Sequence, residues 1–256
     1  MKRISFALAA AWFFLSLVGP QTLQAGETHV AVASNFADAA LEIAQAFEAK
    51  RGHKVHLSFG STGKHYAQIK NGAPFAAFLA ADMKRPLLLE REGRALKGSV
   101  FVYAQGRLAL WSPRPGFVDE QGAVLSQGEF HHLSLANPKL APYGAAAVQA
   151  LQKKGLWSTL EPKVVRGENI AQTFQFVFSG NAQLGFVALS QVKNLKQNQG
   201  NEPSGSFWVV PQELHDPIQQ GAALLKEDPV ARSFLKFLQE SPEARRVLAR
   251  YGYDAP

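Results

Sequence analysis

No cysteine occurs in the 256 residues. That absence removes disulfides, thiolate metal sites and thiol nucleophiles together, and with them the attachment point of a lipid anchor. Long apolar runs are missing after residue 25, where nothing approaches the ~20 residues a membrane-spanning helix needs. Clustered charge of either sign is absent as well. The chain has 27 Lys+Arg against 20 Asp+Glu, and setting aside Lys2 and Arg3 leaves 25 against 20, a formal +5. The basic residues are scattered, as in Lys50-Arg51, Lys84-Arg85, Lys153-Lys154 and Arg245-Arg246, with no aromatic-interleaved basic stripe, so no nucleic-acid partner is expected. A mild positive field still helps to gather a small anion.

Catalytic patterns are equally scarce. Seven histidines include the pair His131-His132, but there is no His-Glu-x-x-His, and neighbours on a strand point to opposite faces. Gly60 to Lys64 invites a phosphate-loop reading. The pattern requires Gly at position 58 and Ser or Thr at 65, where this chain has Ser58 and His65. A nucleophile elbow around Ser61 fails because position 59 is Phe. No enzyme is expected.

What is present begins at the first residue. Met1-Lys2-Arg3 and the uncharged apolar run Ile4 to Val18, followed by Gly19-Pro20 and Leu23-Gln24-Ala25, have the form of a signal peptide over residues 1–25. The mature chain is expected to start at Gly26 or Glu27 and to work outside the cytoplasm; the alternative is an uncleaved N-terminal anchor. About 230 residues remain, enough for one large core or two smaller ones.

Hydrophobic patterning then reads as strand, turn, helix, repeated. His29–Ala33 is a buried strand, and Phe36, Ala39, Ala40, Ile43, Ala44 and Phe47 recur at helical spacing until Gly52. Lys54–Phe59 alternates as a strand, Gly60–Gly63 turns, and Lys64–Lys70 continues as helix. Phe75–Ala81 and Lys84–Arg91 repeat the unit, giving an α/β section with a parallel sheet. Val100–Tyr103 and Arg107–Ser112 are strand-like and stand where the chain passes into a second lobe. His132–Ala136, Ala182–Ala188 and Phe207–Val210 are further strands, with helices at Gly144–Lys154 and Ile170–Ser179. Asn194–Gly205 reads as an exposed loop, and Asp228–Tyr251 as a helical tail with Pro229 and Pro242 at first-turn positions.

Two places share one design: Ser34-Asn35 after the first strand and Ser61-Thr62-Gly63 after the second, each opening a helix. Hydroxyls and free backbone N–H groups meet there, and the helix dipole favours an anion. Donors without charge suit a dianion that carries no proton. Plain N-capping is the alternative at either place taken alone.

The ordered set Val32-Ala-Ser-Asn-Phe-Ala-Asp-Ala, Ser58-Phe-Gly-Ser-Thr-Gly-Lys, Gln68 to Asp82, Ala136-Asn-Pro-Lys-Leu-Ala-Pro-Tyr-Gly-Ala, Gly167-Glu-Asn-Ile and Leu184-Gly-Phe-Val resembles the periplasmic molybdate-binding proteins of ABC importers. The resemblance implies a type II periplasmic-binding-protein fold: two α/β lobes joined by two crossover strands, with the ligand in the cleft. The lobes implied are 26–105 with 212–256, and 106–211. It further implies a monomer that captures molybdate or tungstate for a membrane permease, with no cofactor and no metal bound directly by side chains. The residues carried over are Ser34, Asn35 through its amide, Ser61 or Thr62, Tyr143, and Ile170 through its backbone N–H. Where some relatives have a tyrosine after the Leu-Gly-x-Val strand, this chain has Ala188, and Phe75-Ala-Ala-Phe lacks the acidic residue common there. Other readings are capture of sulfate, thiosulfate or a phosphonate, a sensor without transport, and an exported enzyme on the same scaffold.

Overall fold

The computed structural model describes residues 25–198 and 205–255. All but Ala25 of the expected signal segment lies outside the described residues, as does part of the loop expected over Asn194–Gly205. No described helix is long and apolar enough to cross a membrane.

The chain runs β1 (Glu27–Ala33), α1 (Ala37–Arg51), β2 (Lys54–Gly60), α2 (Thr62–Lys70), β3 (Ala77–Leu79), α3 (Lys84–Arg91) and β4 (Phe101–Gly106). It crosses at Arg107 into β5 (Leu108–Ser112), α4 (Val124–Gln127), β6 (Leu133–Ala136), α5 (Pro142–Lys153), α6 (Trp157–Leu160), β7 (Val164–Gly167), α7 (Ile170–Phe178), β8 (Leu184–Ala188), α8 (Leu189–Asn198) and β9 (Ser206–Val209). It then returns through β10 (Ile218–Leu224), α9 (Pro229–Glu240) and α10 (Pro242–Arg250).

Two five-stranded sheets result, ordered β2-β1-β3-β10-β4 and β7-β6-β8-β5-β9. In the first, β1 pairs parallel with β2 and β3, while β10 runs antiparallel between β3 and β4. The parallel sheet expected there is therefore mixed. The second sheet is also mixed, with β6 parallel to β7 and β8, and β5 antiparallel to β8 and β9. Two separate α/β layers joined by a pair of strand crossovers are the architecture expected from the sequence.

Each sheet is covered on both faces. In the first, Phe36, Ile43 and Phe47 meet Phe234, Phe237 and Leu238 from the tail, and Ile69, Phe78 and Leu89 fill the other side. Phe47 packs edge-on to Phe234 and Phe237, with ring centroids 5.4 and 5.6 Å away. Such pairs stabilise by about 0.5–1.5 kcal/mol each beyond area burial, and here they tie the beginning of the chain to its end. In the second layer, Leu110, Leu135, Leu151 and Phe186 form one face and Trp111, Val177, Val187 and Val192 the other.

Local signals set the helix ends. Gly52 closes α1 with φ 69°, a left-handed geometry that costs glycine least. Asp228 and Ser241 cap α9 and α10, whose first turns hold Pro229 and Pro242 as expected, since Pro can start a helix but not continue one. Helix α2 begins at Thr62, earlier than expected, because the Ser61 side chain accepts from the Lys64 N–H. The Asn194 loop expectation is corrected as well. Helix α8 continues to Asn198, anchored by buried Val192 and by an Asn194 hydrogen bond to Asp38 of α1.

Candidate functional site

Four strand-to-helix transitions converge between the two sheets. Ser34-Asn35 follows β1, Ser61-Thr62 opens α2, Pro142-Tyr143 opens α5, and Asn169-Ile170 opens α7. Each presents backbone N–H groups that no preceding turn can satisfy. Together they line a cavity of about 10 Å³ open to the centre of a water-sized sphere. All six residues named from the sequence, Ser34, Asn35, Ser61, Thr62, Tyr143 and Ile170, line it and are buried. Ala33, Ala81 and Ala141 complete its wall, and no charged side chain is among the lining residues.

The direction of the hydrogen bonds decides what this cavity offers. Thr62 Oγ1 accepts from the Ala81 N–H at 3.0 Å, and Ser61 Oγ accepts from the Lys64 N–H at 3.3 Å. Tyr143 Oη accepts from Gln220 Nε2 at 3.2 Å. Each accepts a bond and, among the described residues, donates to no protein acceptor, so each hydroxyl has its proton to give. Burial holds the Tyr143 hydroxyl well above the ordinary tyrosine range, so it stays protonated. Ile170 is the first residue of α7, and its N–H adds a backbone donor beside the positive end of that helix. Ser34 is engaged differently: its Oγ donates to Asn169 Oδ1 at 3.2 Å across the cleft, and that oxygen also caps α7 by accepting from Gln172 N–H at 3.0 Å.

Asn35 sits at the boundary between cavity and hinge. Its Nδ2 donates to Gln220 Oε1 at 2.9 Å and to Tyr253 Oη at 3.3 Å, so the side-chain amide serves the protein. Its carbonyl accepts from Ser190 Oγ at 3.0 Å and Tyr253 Oη at 2.7 Å. Tyr103 Oη donates to Gln220 Oε1 at 2.8 Å. This buried network holds Tyr143 against the crossover: a Cβ on Gly106 would lie 2.0 Å from the tyrosine oxygen, so only glycine fits there.

Charge stays at the rim and is paired. Lys64 Nζ meets Glu168 at 2.8 Å across the cleft, both about half exposed. Arg85 pairs with Asp82 and donates to the Lys139 carbonyl at 3.0 Å. Among the lining residues there is no carboxylate or histidine to act as acid or base. His65 lies beneath the cavity, its Nε2 3.2 Å from the Val32 carbonyl, and burial lowers its pKa, which keeps it neutral. It supports the Gly60 turn, where a Cβ would come within 2.9 Å of the ring nitrogen. His131 and His132 stand apart, their backbone N–H groups donating to Gln183. Ala188 is not a lining residue; its N–H donates to Gln191 Oε1, and Gln191 Nε2 reaches the Ile170 carbonyl.

Asn169 and the network of Gln220, Tyr103, Tyr253 and Ser190 were not found from the sequence. For Asn169 a signal existed, an Asx residue just before a helical pattern. The others come from segments up to 218 positions apart, and nothing local announces them.

Comparison with known proteins follows the same lines. The family profile of bacterial extracellular solute-binding proteins matches residues 28–254. The chain is 53% identical to the molybdate-binding protein ModA of Azotobacter vinelandii over 233 residues, 90% of each chain. It is 49% identical to ModA of Rhodobacter capsulatus over 90% of this chain and 88% of that one. Among solved structures, the Azotobacter vinelandii periplasmic molybdate-binding protein superposes with a TM-score of 0.83 at 39% identity, covering 90% of this chain and 99% of that one. The sulfate-binding protein SubI of Mycobacterium tuberculosis shares the fold, with a TM-score of 0.74 at 13% identity over 90% and 87% of the two chains.

Proposed function

This chain belongs to the bacterial extracellular solute-binding proteins, within the molybdate-binding family, and from that membership we propose that it captures molybdate, and tungstate, outside the cytoplasm and delivers it to an ABC importer. It is a binding protein and not an enzyme. The observation that carries the proposal is the direction of the donors: three hydroxyls that each accept a bond from the protein and give it none, and a helix-start N–H, all lining one uncharged cavity. An unprotonated dianion accepts from all of them. A protonated anion such as hydrogen phosphate would bring a proton to a site built of donors and lose a bond.

Neutral donors have a second merit. Backbone and hydroxyl dipoles stabilise a buried dianion, yet do not grip it as a fixed cation would, so release needs only the lobes to part. About 10 Å³ of the cavity is open to the centre of a water-sized sphere, a compact space for one small ion, which enters while the lobes are apart. We take the lobes to be residues 26–105 with 212–256, and 106–211, and the binding unit to be a monomer. Size is what separates molybdate from sulfate, since both offer only acceptors.

Calorimetric titration of the protein with molybdate, tungstate, sulfate and phosphate in turn tests this. The expected result is one-to-one binding of the first two and no heat from phosphate. Sulfate bound as tightly as molybdate would replace the proposed cargo, and silence from all four would end the proposal.

A further inference from the structure

At the opposite end of β1 from the cavity lies a cluster the oxyanion site does not use. Glu27 and His29 stand two residues apart on β1 and therefore on one face of the sheet. In the parallel register, His29 is paired with His56 of β2, the outermost strand, so the second imidazole stands beside the first. The two rings stack with centroids 4.7 Å apart and an interplanar angle of 18°, and His56 Nε2 lies 3.1 Å from Glu27 Oε2. One ligand-type atom from each of the three residues lies within 4.8 Å of the other two.

We propose that Glu27, His29 and His56 form a site for a divalent transition-metal ion, zinc(II) in the first instance. Two imidazole nitrogens and one carboxylate oxygen are a borderline-soft donor set, which favours zinc, nickel or copper over calcium or magnesium. In a tetrahedral zinc site, bonds of ~2.0–2.1 Å place ligand atoms about 3.4 Å apart. The His56 to Glu27 separation already meets that spacing. The His29 nitrogen lies within 4.8 Å of the other two ligand atoms, on an exposed side chain with solvent to turn into. The fourth position would face solvent and hold water.

β2 is the edge strand and β1 its neighbour inside the sheet, so a bound ion would pin β2 to the sheet. Seven residue steps along the strand, about 23 Å at about 3.3 Å each, separate Glu27 from Ser34, so the ion would sit far from the cleft and act independently of it.

The test is calorimetric titration of untagged, chelator-treated protein with zinc chloride and with nickel chloride. One-to-one binding is expected, weakened about tenfold or more by His29→Ala or by His56→Ala, and more modestly by Glu27→Gln. The double variant His131→Ala/His132→Ala should bind zinc as the parent does, and molybdate titration should be unaffected in every variant, which also reports that each is folded. No zinc or nickel binding by the parent, or binding undiminished in the His29→Ala/His56→Ala double variant, would overturn the assignment.

Discussion

Gly63 donates its backbone N–H to the Leu140 carbonyl at 2.8 Å, and a Cβ at Gly63 would stand 2.9 Å from the Leu140 Cα. The bond joins the first turn of α2 to the loop before α5, one from each sheet's layer, directly beside the cavity. Gly63→Ala should therefore separate two properties that usually fall together. Alanine is favoured over glycine inside a helix by about 0.8–1 kcal/mol, so thermal stability without ligand should hold or rise. Backbone meeting backbone cannot yield, and the cost of about 1–3 kcal/mol falls on closure, lowering molybdate affinity. Calorimetry and thermal melting of one preparation would show whether the signs are opposite.

Thr62→Ala removes a donor from the cavity and an acceptor from the Ala81 N–H. Affinity should drop by about 1–3 kcal/mol, near 5- to 150-fold, and Thr62→Ser should restore most of it because serine supplies both roles. Ser61→Ala shares the loss of a donor and adds loss of the α2 cap.

For Tyr143→Phe the expectation is a loss of binding of similar size together with a lower melting temperature. The ring stays, but Gln220 Nε2 is left without its acceptor inside the protein. A buried donor stranded in this way costs about 1–3 kcal/mol. Melting curves with and without molybdate distinguish the two contributions.

The Lys64–Glu168 pair is half exposed, and pairs of that kind are worth about 0–1 kcal/mol. Glu168→Gln should change affinity less than about fivefold, and the change should fade as salt is raised. A larger effect would mean that the rim pair, and not the neutral donors, carries the site.

Burial lowers the pKa of His65 in the folded protein. The unfolded chain then binds a proton that the folded chain resists, so stability rises with pH across this window. Full stability is expected above the unfolded histidine value of about 6.5, with a decline as pH falls below it towards the lower folded value. His215, also lowered by burial, adds to the same slope. His65→Gln should flatten part of that decline in melting temperature measured from pH 7.5 down to 5.

Much of this was legible because strand ends and helix starts are local events. Ser34, Ser61 and Thr62 could be placed by their position after a strand, Tyr143 and Ile170 came only from the family resemblance, and the cavity brings all these helix starts together. What could not be read is where distant segments meet. Strand β10 was missed because Ile218-Gln-Gln-Gly-Ala-Ala-Leu carries two glutamines and a glycine where an apolar strand would be sought, and the register shifts between Gln220 and Gly221. The departure has a cause: Gln220 is fully buried, its oxygen accepting from Asn35 and Tyr103 and its amide nitrogen donating to Tyr143. A polar residue inside a strand looks like a loop until its partners, from three other parts of the chain, are known. The same holds for α8, whose polar end is helical because Asn194 finds Asp38.

The place of β10 between β3 and β4 also sets an order of events during synthesis. Until Leu224 has emerged, β4 has no neighbour in its sheet, and the tail helices that cover Phe47 do not yet exist. The second sheet, drawn wholly from residues between Leu108 and Val209, can be completed first. A chain emerging from its N-terminus is thus left for most of its length with an unfinished first layer. The cavity between the two layers is assembled last.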